Sequence, residues 1–537
     1  MKRSIIVLSI AFVACLTACY EDKSTSGTVR GEISVDINTD EISNGILTIA
    51  NGETLSLEPI INQKDALHSD FSYLWELTLT SDEREKKFSI LGEEKNLNWV
   101  ITRAPSTYPY TLVYTVTDNN TGISCISSLK IRVVNSAGDG VVVADTRDGR
   151  TSDLTLVRSK HLSHQYSKDT FYKRNAYSAT NGTTFDGIIE EIFYGRVGTY
   201  GRFKYYLYAM SEKNIESMTT DTYSVNQDLS QLFMLVPTGG TFTRIFPTKL
   251  DILAVYDDDL YGFNSSQISN FYKFGDPYNY VKPSEIASKR HVNRFLVQNP
   301  EPYTSFIDDT DGKLYCYDLF NQKTIRPMTQ GISANAYPPD QFSGYTQIGS
   351  FLGVFDSENS SFEFFHILES PQNEIKFYGN TYRYDKEEGA AVYETTRACT
   401  TVSCPDIAQA FAFDGCVTRE VVFYATQTKV YSCVLGASSA ASTPQFTAPK
   451  DQIITAIKVY RDSWFNTSSK PNSDNKEETS AMHDNLLMVA SYDSASGEGT
   501  LYALPISGAS GTLTQSDAEH TYTGFGKITA LAVQGNQ

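Results

Sequence analysis

The chain is short of positive charge. Its 537 residues carry 45 Lys and Arg against 63 Asp and Glu, a formal net charge of −18. Such a surface cannot neutralise phosphates, which excludes nucleic acid as a partner and excludes docking on anionic lipid through the protein surface. A membrane-spanning run is missing at the N-terminus, where the apolar stretch Ile5 to Leu16 is far too short to cross a bilayer. Long segments with helical apolar spacing are missing as well. Short apolar runs alternate instead with Gly, Asn, Asp and Ser, and the 34 Tyr and 29 Phe suit half-buried pleated surfaces. The composition is all-β. No cysteine pair has zinc-type spacing with histidine nearby, and there is no Gly-x-Ser-x-Gly elbow, Walker loop or dinucleotide fingerprint. Of seven histidines only His161 and His164 are close, and Arg158 and Lys160 beside them disfavour a cation, so no metal is expected.

What is present begins with a leader. Lys2 and Arg3 precede the apolar run, which has the size of a signal-peptide h-region, and Leu16-Thr17-Ala18-Cys19 follows. That order resembles the bacterial lipoprotein lipobox. The resemblance implies that residues 1–18 are a signal peptide, that Cys19 is acylated, and that the body sits outside the cytoplasm, attached to a membrane through its lipid. An ordinary secretory signal with an incidental cysteine is the alternative. Residues 19–30 are small and polar and read as a flexible tether. Glu21 and Asp22 resemble the signal that sends Bacteroidetes lipoproteins to the outer face of the outer membrane.

Residues 31–135 read as one β-sandwich of the immunoglobulin type. Tyr73-Leu-Trp-Glu-Leu77 alternates around a Trp, and Tyr110 to Asp118 leads through the turn Asn119-Asn-Thr-Gly122 into Ser128 to Val134. Trp75 is expected in the core. Ser136-Ala-Gly-Asp-Gly140 is a small-residue break, and beyond it a phrase recurs: strand, turn, strand ending in Leu-Tyr or Val-Tyr. Ile252 to Phe263, Glu420 to Cys433 and Leu486 to Leu504 are instances, and Gly312 to Asp318 is a further second strand. Such hairpins must stack in a ring to bury both faces, so 141–537 is expected to be a β-propeller-like domain. At about 40–50 residues per blade plus long loops, seven or eight blades fit. Lys527 to Val533 could pair with Val141 to Ala144 and close the ring. Among the cysteines, Cys399 and Cys404 could bridge in an exported protein, with Cys416 and Cys433 as other candidates, while Cys125 and Cys316 are strand residues expected to be simply buried.

The layout resembles the PKD-like family of Bacteroidetes lipoproteins. The resemblance rests on the lipobox, on Tyr73 to Trp75 and Tyr110 to Asp118, on Gly140 to Gly149 with Ser152 to Leu156, and on Asn485 to Tyr492, Gly499 to Tyr502 and Tyr522 to Ile528. Residues 265 to 410 contribute nothing to it. It implies a lipoprotein facing the cell exterior, beside a SusC/SusD-like importer as partner, and it carries no catalytic residues to transfer. The expected function is therefore capture of a glycan or peptide as a non-enzymatic accessory of uptake. A propeller hydrolase or lyase with pocket carboxylates is the alternative, its catalytic residues unknown. Trp464 and Phe465 lie in a polar stretch without strand pattern, where an aromatic could stack on a sugar or fill a partner's pocket. No cofactor is expected. Asp118 to Gly122 and Asp308 to Gly312 place oxygen ligands at alternate positions and leave calcium as an option, although both sit where hairpin turns belong.

Overall fold

In a computed structural model the described residues run from 32 to 535, apart from 38–41, 44, 52, 65–69, 80–87, 104–107, 135–137, 165, 167–168, 198–203, 249–250, 265–272, 279–288, 299–300, 302, 319–323, 357–360, 386–388, 439–442, 463–479 and 516. The chain divides into two compact units, Met1–Ser136 and Ala137–Gln537. It is all-β, a β-sandwich followed by a propeller.

In the first unit a six-stranded sheet runs in the order Ile42–Ser43, Ile46–Ala50, Ser124–Val134, Tyr110–Asp118, Phe71–Leu79 and Ser89–Gly92. Ile33–Asp36 pairs with Ile60–Gln63, and Thr54–Leu57 with Leu97–Val100. Alternation sorts the side chains. Leu112, Tyr114 and Val116 are buried together with Trp75 and Leu77 from the next strand. Trp75 is fully buried, stacks on Tyr114 at 3.9 Å between ring centroids, and donates from Nε1 to the Glu94 carbonyl at 3.0 Å. It is core, and its one polar atom is satisfied. At the hairpin turn Gly122 takes φ 72°, in the left-handed region that favours glycine. The Asp118 carboxylate accepts from the Asn120 backbone N–H and the Thr121 hydroxyl, each at 2.9 Å. The turn itself thus uses the oxygens that a calcium ion would need.

Among the described residues the second unit holds seven antiparallel sheets. Blade 1 joins Phe171–Lys173, Thr151–Arg158, Gly140–Thr146 and Lys527–Gln534. Blade 2 runs from Glu191–Val197 to Val225–Gln227, and blade 3 from Phe242–Pro247 to Asp259–Asn264. Blade 4 runs from Tyr303–Asp308 to Thr324–Pro327, and blade 5 from Thr346–Asp356 to Ala390–Thr400. Blade 6 runs from Ala412–Gly415 to Phe446–Thr447, and blade 7 from Gln452–Val459 to Thr512–Leu513. Each expected hairpin occurs: Asp251–Tyr256 with Asp259–Asn264, Val421–Ala425 with Lys429–Val434, and Leu486–Asp493 with Glu498–Ser507. Lys313–Asp318 pairs with Tyr303–Asp308. The ring closes through the two ends of the unit, with Val141 opposite Val533 and Val143 opposite Leu531.

Every neighbouring pair of blades encloses one apolar core, from blades 1 and 2 around to blades 7 and 1. That explains the sequence texture. A second strand is covered on both faces, so Asp251–Tyr256 and Val421–Ala425 are buried along their whole length. The wide gaps between twisted sheets are filled by rings, as where Tyr303 stacks on Phe364 at 4.6 Å across blades 4 and 5.

One sulfur pairing departs from the sequence expectation. Cys404 is bonded to Cys433, while Cys399 stays free and buried. Cys399 sits inside the strand Ala390–Thr400, opposite Phe377, and packs into the core between blades 5 and 6. Cys404 lies past the end of that strand, within reach of Lys429–Val434 on the next blade. The bond therefore staples blade 5 to blade 6. With 29 residues between the sulfurs, Cys404→Ser with Cys433→Ser is expected to cost about 3–4 kcal/mol, read as a lower melting temperature without reductant. Equal melting of variant and parent would show that the staple adds nothing.

Candidate functional site

Six blades and the segment that leads into blade 4 line one cavity of about 200 Å³. From blade 1 onward they contribute Thr529, Glu191, Arg244, Gln298, Ser350, Asp414 and Lys458. On Gln452–Val459, Ala456, Ile457 and Lys458 line the cavity, while Val459 is buried in the core between blades 6 and 7.

The charges are arranged in pairs. Arg244 on blade 3 bonds Glu191 on blade 2. Arg461, just past the last residue of Gln452–Val459, bonds Asp414 on blade 6 at 2.7 Å and also donates to the Gly415 carbonyl. The second oxygen of Asp414 accepts from the Val459 backbone N–H at 2.8 Å, so the carboxylate is held from both sides. Lys458 donates from Nζ to the Leu531 carbonyl at 2.9 Å, across the seam between blades 7 and 1. Burial pushes its ammonium below the ordinary lysine range, and the Asp414 and Glu191 carboxylates pull it back. A cation sits here at a cost that neutral packing would avoid.

Other constellations do not assemble chemistry. Ser305 and His366 are fully buried, and Oγ lies 2.9 Å from Nε2, the spacing of a nucleophile and its base. The third member of the set is Gln347. Its Oε1 accepts from Asn293 at 2.9 Å, which turns its Nε2 toward His366 Nδ1 at 2.8 Å. Nδ1 is therefore the acceptor, Nε2 carries the hydrogen, and His366 donates to Ser305 rather than deprotonating it. This is a structural bridge between blades 4 and 5. His161 lies 3.3 Å from Glu519 and packs at a tilt against His520, with ring centroids 4.0 Å apart, while His164 is exposed. Among the described residues no three His, Cys, Asp or Glu side chains are placed to hold a metal ion. In the turn Asp308 to Gly312, Asp308 accepts from the Thr310 backbone N–H at 2.9 Å, and Asp311 accepts from Arg290 at 2.8 Å and from the Tyr315 hydroxyl at 2.7 Å. Those carboxylates, too, are already committed.

Cys19, Glu21, Asp22, Trp464 and Phe465 lie outside the described residues. The cavity residues were not singled out by sequence reasoning. A signal existed in the single cations set into apolar strands, as in Ile453-Ile-Thr-Ala-Ile-Lys458-Val-Tyr-Arg461. A charge within such a run either caps an edge or faces a cavity.

Residues 19–188 match the model of the PKD-like family. The PKD-like match thus covers the sandwich and continues into the strands Gly140–Thr146 and Thr151–Arg158 of blade 1. No curated protein matches the chain. Among solved structures it is similar to a quinonprotein alcohol dehydrogenase-like protein from Bacteroides thetaiotaomicron, at 12% identity and a TM-score of 0.38, covering 94% of this chain and 98% of that one. It is also similar to Hsv2p of Kluyveromyces lactis, at 8% identity and a TM-score of 0.29 over 75% of this chain and 95% of that one. PorZ, a surface component of the type-IX secretion system of Porphyromonas gingivalis, aligns at 10% identity and a TM-score of 0.25 over 69% of this chain and 46% of that one.

Proposed function

We propose that the chain is a lipoprotein of the outer membrane, anchored through Cys19 and facing the cell exterior by virtue of Glu21 and Asp22. In this reading the propeller captures a small polar nutrient, a glycan or peptide unit, for a SusC/SusD-like importer. The observation that supports capture is the mixed-charge cavity that the ring encloses. A concave site with a few fixed polar groups is the common form of a small-molecule site. Glu191, Arg244, Ser350, Asp414, Lys458 and Thr529 are held on strands, so binding orders little of that part of the wall.

The alternative, a hydrolase or lyase, would draw its carboxylates from Glu191 and Asp414. Each is already held in an ion pair with an arginine, which occupies an oxygen that a reacting substrate would need. Two measurements separate the readings. A mild-detergent pull-down of the lipidated protein is expected to recover a SusC/SusD-like pair, and recovery of the protein alone would remove the importer from the reading. Calorimetry against glycans and peptides is expected to give stoichiometric binding without turnover. Turnover that disappears in Glu191→Gln or Asp414→Asn would instead establish the enzyme.

A further inference from the structure

The cavity's charges do not cancel pair by pair. Arg244 faces Glu191 and Arg461 faces Asp414. Glu190 is exposed at this wall, where Glu212 and Glu191 repel its carboxylate and Arg294 attracts it. Lys458 is held differently. Among the described residues its hydrogen bond goes to a neutral carbonyl, that of Leu531, and an ammonium has three hydrogens to donate. Glu191 and Asp414 are each taken by an arginine, so Lys458 is a cation of the wall that no described carboxylate pairs.

An unmatched ammonium set deep in a protein lowers stability unless something neutralises it. The neutral lining of Gln298 and Ser350 offers hydrogen bonds and no charge. A ligand can supply the ion-pair partner that Lys458 lacks among the described residues. One negative charge suffices, and a second would meet Glu191 and Asp414. A volume of about 200 Å³ suits one sugar ring or one amino-acid residue.

We propose that the cavity binds a single carboxylate carried on a hydroxyl- or amide-bearing body of one residue's size, with Lys458 as the group that recognises its charge. The proposal rests on the capture reading above and names its ligand class. Arg244 and Arg461 are positioning groups whose carboxylate partners keep them from competing for the ligand's charge. Two sources carry this chemistry: an acidic sugar residue and the C-terminal residue of a peptide.

The test is calorimetry on the full chain at low salt with four probes: glucuronate and N-acetylglycine, each beside its neutral counterpart, glucose and N-acetylglycinamide. At least one carboxylate is expected to bind about tenfold or more tighter than its neutral counterpart, the range of a charge-assisted hydrogen bond. Whichever carboxylate does so identifies the source. Lys458→Met should remove that preference and leave the neutral probe unchanged. Should that variant fail to fold, Lys458→Gln, which keeps a donor for the Leu531 carbonyl, carries the same expectation. Equal binding of charged and neutral probes, or a preference that survives both substitutions, overturns the proposal while leaving capture intact. Failure of all four probes to bind also overturns it, and the importer pull-down then tests the broader reading separately.

Discussion

Removal of residues 525–537 is expected to abolish the cooperative unfolding transition of the propeller and to leave that of the sandwich in place. The strand Lys527–Gln534 is the innermost strand of blade 1, and it buries Ile528, Ala530, Leu531, Ala532 and Val533. At about 1.5–3 kcal/mol for each of its three large aliphatic side chains, burial alone accounts for roughly 5–9 kcal/mol, an upper estimate. That is comparable to the whole stability of an ordinary domain. Polar locks would be lost with it. Gln534 Nε2 donates to the Gly138 and Thr220 carbonyls at 3.0 and 3.1 Å, and its Oε1 accepts from the Tyr223 hydroxyl at 3.1 Å. Asp145, whose carboxyl burial pushes up, accepts from the Gly526 N–H at 2.6 Å and would be left unpaired there. Differential scanning calorimetry reads the outcome directly. Two transitions in the truncated chain, as in the full one, would mean that blade 1 stands without its inner strand.

The second large effect is a loss of stability in mild acid that is traceable to one side chain. His366 is fully buried, and both ring nitrogens bond neutral partners, Ser305 and Gln347. Burial pushes its imidazole down to about 3 from 6.5. The unfolded chain therefore takes up a proton at this residue below pH 6.5 that the folded chain refuses. Stability is complete above pH 6.5 and falls as the pH drops from 6.5 toward 3. The slope approaches about 1.4 kcal/mol per pH unit, so moving from pH 6.5 to pH 5 costs about 2 kcal/mol. Glu363 and Asp145, pushed up chiefly by burial, work in the opposite direction at lower pH. Comparison with His366→Gln isolates the histidine. Urea unfolding at pH 7 and pH 5 should show a steeper loss in the parent than in the variant, and parallel losses would assign the acid sensitivity elsewhere.

The architecture could be read from the sequence where side chains obey a simple period. Tyr110 to Asp118 alternates and became a half-buried sandwich strand; Ile252 to Phe263 repeats an apolar hairpin and became part of a blade. Blades 4 and 5 were harder because polar residues occupy their interior. Thr304, Ser305, His366 and Asn380 are all fully buried, and each interrupts the apolar run that would mark a covered strand. The cavity was harder still. Glu191, Arg244, Asp414 and Lys458 come from four blades, and closure of the ring, rather than any local spacing, brings them together. The disulfide illustrates the same limit. Cys399 is nearer to Cys404 in sequence, but the strand end between them turns Cys404 toward the next blade and its bond to Cys433.

Closure through Val141 and Val533 has a consequence for biogenesis. The first strand of the ring is made early and must wait for nearly the last residues of the chain before its blade is complete. Contacts this remote in sequence form slowly, and until they form both ends of the ring present open strand edges. A prematurely terminated chain would never lose those edges and would remain open to proteases and to other chains, however well its first six blades were made. The ring thereby checks that its closing strand has been made: only a chain that includes Lys527–Gln534 can hide these edges and persist.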